Sequence, residues 1–298
     1  MTSPCPPSPP QPGACGGIRR FGCRFGRRFG QCELRVLFQA VLLVLFGAHT
    51  AHAEPGLAPH RAYYSAKIAQ VKQASQIVNA QGKMVIEFAA SCEGWETTQG
   101  TQLLLTNNRG DEFVMDVRFT SWESRDGRQF HFNYVHKKNK IVQVELLGRA
   151  EIPARGMAGT VLFSKPAPGE IALPKGTVFP TEHLSMLMAH ADAGKVLFSK
   201  AVFDGTTGEG AYEISAVLGK PYRFPEGKKD GLERLSGDRV WPVRLAFFPH
   251  GAVDAMPEME IGVWLLRSGV AERIVSDHGT FVIASELERV EWLPSPEC

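Results

Sequence analysis

Cys92, in the stretch SCEGW, and Cys298, the last residue, are the side chains with the most chemistry to offer. A thiol at Cys92 could be a nucleophile, a metal ligand, a structural thiol or half of a disulfide. A nucleophile needs a general base beside it in space, which spacing along the chain does not supply. Zinc needs further Cys or His ligands at close spacing, and none accompanies Cys92. His183 and His190 would share one face of a helix, with Met186 between them. The usual helical metal spacing is i, i+4, and no HExxH occurs, so both are expected to be surface or capping histidines. GTTGEGA (205–211) lacks the Lys-Ser/Thr of a phosphate-binding loop and opens no helix, so it reads as a plain loop. No GxSxG is present. Asp126-Gly127 and Asp204-Gly205 are turn formers before they are acids. Glu123 and Glu260 lie on or near strands, with no convergent histidine in the sequence. The expectation is a protein with no catalytic residues, no metal and no cofactor.

The first 53 residues do not read as fold. Arg19, Arg20, Arg24, Arg27, Arg28 and Arg35 stand there against one acid, Glu33. An apolar run, VLFQAVLLVLFGA, precedes an A-x-A pattern ending at Ala53. This is the layout of a secretory signal peptide. The run is shorter than the ~20 apolar residues of a membrane span, although an uncleaved anchor is the alternative. The unusual length before Leu34 points to an early start site or a twin-arginine-like leader. No cysteine follows the run at a lipobox-like position, so no lipoprotein is expected. Cleavage after Ala53 would leave two cysteines, for which one connectivity exists, in an oxidising compartment. A Cys92–Cys298 bond is therefore expected. It would close a loop of roughly 200 residues and contribute about 5 kcal/mol through chain entropy. The full chain carries +2, and removing a leader surplus of five leaves a mature chain near −3. No nucleic-acid partner is implied, and HKKNK (136–140) reads as a solvated hairpin tip.

These groups must be positioned by strands, because the hydrophobic period is two almost everywhere. EFVMDVRFT sets Phe113, Met115, Val117 and Phe119 on one face; RQFHFNYV does the same for Phe130, Phe132 and Tyr134. KMVIEF, IVQVELLG, AYEISAVL, PVRLAFF and MEIGVWLL repeat the alternation. Turns such as NNRGD and SRDGR separate the runs, which makes the neighbours antiparallel hairpins. One segment departs from this. After a Pro/Gly-rich stretch, TEHLSMLMAHADAG predicts a helix of about 12 residues. Thr181 is its expected N-cap, Gly194 its C-cap, and Leu184, Leu187, Met188 and Ala191 its buried face. The fold class is mainly β: one domain, residues 54–298, built as a curled antiparallel half-barrel with one central α-helix that plugs it or covers one face. Most of Trp95, Trp122, Trp241, Trp264 and Trp292 are expected in the core, but on a concave face they could line a lipid groove. Trp264 and Leu266 fall opposite the alternating core set, so one face of their strand could meet a ligand, a partner or the helix.

CEGW (92–95), WESRDG (122–127), LPKGTVFPTEH (173–183), FDG (203–205), WPV (241–243), GV (269–270) and the terminal PSPEC, taken in this order and spacing, resemble the cell-envelope integrity protein family EipB of alphaproteobacteria. The resemblance covers residues from about Pro59 to Cys298. It implies a periplasmic β-spiral with a central helix, a disulfide between the positions of Cys92 and Cys298, and a role in envelope integrity under stress. It brings no catalytic residues. Two modes of action follow as expectations. One is binding of a periplasmic protein partner, a repeat protein being one class; the other is carrying or sensing a lipid or lipoprotein acyl chain. A hydrolase of peptidoglycan or lipid is a third and weaker reading. The candidate binding residues are Trp95, Trp122, Glu123, His183, Trp241, Trp264 and Leu266, on a monomer or weak dimer. A carrier requires a continuous apolar cavity; a binding protein requires a packed interior and an exposed apolar patch.

Overall fold

The computed structural model describes residues 56–298 apart from 227, 229 and 252–255. The expected leader lies outside the described residues. Eight strands come first: β1 (His60–Val71), β2 (Ile77–Ala90), β3 (Gly94–Asn107), β4 (Glu112–Ser124), β5 (Gln129–Lys138), β6 (Ile141–Glu151), β7 (Gly159–Lys165) and β8 (Gly169–Leu173). The helix α1 (Pro180–Asp192) follows, then β9 (Leu197–Val202), β10 (Tyr212–Leu218), β11 (Tyr222–Arg223) and a 3-10 turn, Leu232–Leu235. The chain ends with β12 (Arg239–Pro249), β13 (Met259–Leu266), β14 (Ala271–Asp277) and β15 (Phe281–Trp292).

All fifteen described strands belong to one sheet, ordered β8-β7-β6-β5-β4-β3-β2-β1-β15-β14-β13-β12-β10-β9, with β11 beside β12. Where consecutive strands pair, they run antiparallel, most of them across short polar turns. Asp126-Gly127 turns β4 into β5, and Asn139-Lys140 turns β5 into β6, as the sequence predicts. The two meanders are joined along β1 and β15, which pair from His60↔Trp292 to Val71↔Phe281. The curl is tight enough that Val178, just past β8, bridges in parallel to Val202 on β9, at the opposite end of the sheet. The expectation of a curled antiparallel sheet with one central helix is met.

The helix packs on the concave face. Leu187, Met188 and Ala191 are buried with Ala62, Tyr64 and Met84 from one meander and Ala216, Val243 and Leu266 from the other. A second cluster fills the space beneath β5–β8, where Phe130, Phe132, Phe179 and Phe203 interlock with Val161 and Leu173. Burial of each such side chain contributes about 1.5–3 kcal/mol.

The predicted helix ends need one correction. Thr181 is not the N-cap: Phe179 occupies that position with no side-chain cap bond, and Pro180 is the first helical residue. Phe179 is fully buried, stacked 5.1 Å from Phe130, so the cap position is committed to packing. The C-terminus is as predicted in kind. Gly194 adopts φ +67°; its N–H donates to the Ala191 carbonyl and that of Lys195 to the His190 carbonyl, a Schellman closure.

Candidate binding surfaces

The disulfide expected from the cysteine count is present, with Cys92 and Cys298 Cα atoms 5.6 Å apart. Their meeting follows from the sheet order. β1 lies between β15 and β2, so the tail leaving β15 has only two strands to cross before it reaches the β2–β3 turn. Leu293 begins this path by donating to the Pro59 carbonyl at 3.0 Å. Arg125 secures the same turn, donating from Nε and Nη2 to the Ser91 carbonyl at 3.1 and 2.7 Å. Its guanidinium lies 4.0 Å from the centre of Trp95, whose ring stacks on Phe88 at 4.8 Å. Trp95 is thus a buried member of the seam.

Glu123 is buried on the inner face of β4 and does what Phe179 cannot. Its Oε2 accepts from the Thr181 N–H at 2.6 Å and its Oε1 from the Glu182 N–H at 2.8 Å. Pro180 has no N–H, and His183 N–H reaches the Phe179 carbonyl at 2.9 Å, so the donors of the first turn are accounted for. Loss of water pushes the carboxyl up to about 7, against the two helix N–H groups that hold it down. Glu182 is also raised by burial, while Arg155, 3.4 Å away, opposes that shift. These groups border a recess of about 290 Å³ that also touches Trp95 and Met186. Segments far apart in the chain, CEGW, WESRDG and PTEH, converge here.

Several candidates prove to be interior. His183 is not a surface residue: it is buried beside Phe198, ring centres 5.4 Å apart. Among the described residues its Nε2 has no hydrogen-bond partner, and burial lowers its pKa to about 4. Trp241 is buried in the main core. Leu266 is fully buried as well. Leu265 is buried with it in the cluster that holds the helix; β13 keeps unbroken register with β12, and the register shift beside Leu265 lies in β14, where Glu272 is the extra residue. Trp264 is half-buried, with the Arg273 guanidinium 5.2 Å from its ring centre.

Trp122 alone among these residues lines a large open concavity. It alternates with inward Glu123 and so faces the outer side of the sheet, where a trough of about 660 Å³ crosses β3–β7. His131, Asn133, Leu147, Arg149 and Leu162 share it. Sequence reasoning passed over these partners because attention went to the apolar set. The polar set of RQFHFNYV, His131 and Asn133, was the available signal.

The match of the chain to a family of known proteins agrees with this architecture. Residues 51–294 match the family model described as EipB-like. The chain belongs to the EipB-like family. It is 30% identical over 248 residues to the cell envelope integrity protein EipB of Brucella abortus (strain 2308), covering 82% of this chain and 88% of that protein. It is also similar to a crystal structure of a beta-barrel-like protein, of a domain of unknown function, from Brucella abortus. That likeness has a TM-score of 0.73 and 30% identity, over 80% of this chain and 99% of the other. The EipB-like resemblance drawn from short motifs therefore extends to the three-dimensional fold.

Proposed function

We propose that this EipB-like protein is exported to the periplasm and supports cell-envelope integrity without catalysis, by docking a protein partner. The envelope role rests on the name of the Brucella relative. Docking, in preference to acyl-chain transport, rests on one observation: the concave side is filled. Leu187 and Met188 of α1 and the Phe130–Phe179–Phe203 cluster occupy the space an acyl chain would need. Apolar side chains reach solvent elsewhere. β7 pairs with β6 only from Leu147 onward, so the first half of β6 has β5 on one side and an open edge on the other. Ile141 is 67% exposed there and Val142 49%. An exposed apolar edge is suited to receive an extended segment of another chain.

The test is a photo-crosslinking residue at Ile141, with a control at exposed Arg244 on β12. A defined protein adduct from position 141 and none from 244 is the expected result. Equal labelling from both sites, together with a bound mass of a few hundred daltons on the native protein, would replace docking with the acyl-carrier reading.

A further inference from the structure

The outer trough is not needed for docking at the β6 edge, and its lining has a chemistry of its own. Across five strands it spans roughly 19 Å, from the interstrand spacing. The concavity has a local cause. Opposite Leu147 and Gly148 of β6, the register shifts by one extra residue in β7, Ser164, and this bulge bends β7. Gly148 permits this, because a Cβ there would lie 2.6 Å from the Leu162 carbonyl oxygen and 2.7 Å from the Phe132 ring.

Trp122 forms the base of the trough. A Cβ built on Gly94 would fall 2.5 Å from its Nε1 and 2.6 Å from its Cε2, so the indole lies across the glycine of the neighbouring strand. His131 stands 5.3 Å from it, ring centre to ring centre, tilted by 45°. Leu147 and Leu162 are 40% and 37% exposed and extend the apolar floor. Apart from Phe132 and Gly148, the rest of the lining is hydroxyl, amide and imidazole, with one acid, Glu96, and one base, Arg149. The formal charge balances, so the trough selects neither anion nor cation. A flat apolar floor edged by neutral donors and acceptors complements a pyranose ring, which has a C–H face and a rim of hydroxyl or acetamido groups. The volume lies within the ~300–1,000 Å³ of small-ligand sites, and the shallow, open form suits a chain that continues past both ends.

We infer that this trough binds an uncharged oligosaccharide strand, with Trp122 as the stacking plate and Asn133 among its hydrogen-bonding groups. Binding here is independent of the protein-docking reading, and either can fail alone. The test follows the indole N–H signals of the 15N-labelled mature protein by NMR, with Trp122 assigned by its loss in Trp122→Phe. The soluble probe is the β-1,4-linked tetramer of N-acetylglucosamine; the membrane-borne probe is lipopolysaccharide in phospholipid vesicles, against plain vesicles. The Trp122 signal should move with saccharide while the other indoles stay in place. Trp122→Ala should weaken binding about tenfold and Asn133→Ala about threefold. Asn133 is exposed, so its variant decides the matter if Trp122→Ala does not fold. Movement with lipopolysaccharide vesicles alone would assign the glycan to a lipid headgroup. No movement with either probe at millimolar sugar, or undiminished binding by a folded Asn133→Ala and Trp122→Ala, would overturn the inference.

Discussion

Glu123, hydrogen-bonded to the first turn of α1, and His183, within that turn, titrate in opposite senses. Between pH 4.5 and about 7 the folded protein keeps a proton on Glu123 that the unfolded chain has released. Stability from this residue therefore falls as pH rises through that window and is level above it. The full effect is on the order of 3 kcal/mol. Glu123→Gln carries no such charge, so the wild-type melting temperature should decline relative to the variant from pH 4.5 to 7. A flat difference would mean that the helix N–H groups outweigh desolvation and keep the carboxyl ionised. His183 works the other way. Its folded pKa lies below the ordinary 6.5, so the unfolded chain takes up a proton that the buried ring refuses. Stability is lost as pH falls from 6.5 toward 4. Replacing the ring by phenylalanine removes a buried nitrogen without a partner, and should cost less than about 1.5 kcal/mol at pH 7. Urea unfolding of His183→Phe should show a relative gain as pH falls to 4. An unchanged gap across pH 4–6.5 would place the wild-type ring in contact with water.

At the level of elements, α1 owes its N-terminus to a neighbouring strand and its C-terminus to its own sequence. The left-handed φ of Gly194 is the local part, and no atom lies within 4 Å of where its Cβ would be. Gly194→Ala should then cost about 1–2 kcal/mol from backbone strain alone, read as a lower urea midpoint at constant slope. A neutral result would show that the closure can relax. The N-terminus was not legible in the same way. PTEH offers Thr181 as the obvious cap, but burial of Phe179 fixes where the helix starts, and the acceptors come from β4, 58 residues earlier. β13 teaches the same point. Its last two residues, Leu265 and Leu266, are both buried although β13 keeps regular register with β12, because the main core reaches both faces at this end of the strand.

For the whole molecule, the two meanders are held together by the β1–β15 pairing, and the disulfide closes over that junction. Cys92→Ser, Cys298→Ser and the double variant should each lose up to about 5 kcal/mol, by equal amounts, since each removes one and the same bond. Reductant should lower the wild-type urea midpoint to theirs and leave the variants unmoved. A wild-type midpoint indifferent to reductant would show that the strands alone hold the tail.

Period-two patterning and turn chemistry made the strands, the hairpins and the mainly β class readable, because those signals act between neighbours in the chain. The leader pattern and the cysteine count likewise pointed to Cys92–Cys298, since two thiols in an oxidising compartment have one partner each. Which tryptophan faces outward was not readable. Trp122 and Trp241 are the same residue on similar strands, yet one floors a trough and the other is buried in the core. Strand parity relative to the curl decides this, and no local pattern records which side the sheet curls toward. The same holds for Glu123, whose role exists only because a helix begins above it. Local composition determined the elements and the covalent bond; the curl, the helix seat and the open faces were decided by long-range pairing, where burial energy rather than local preference chooses the register.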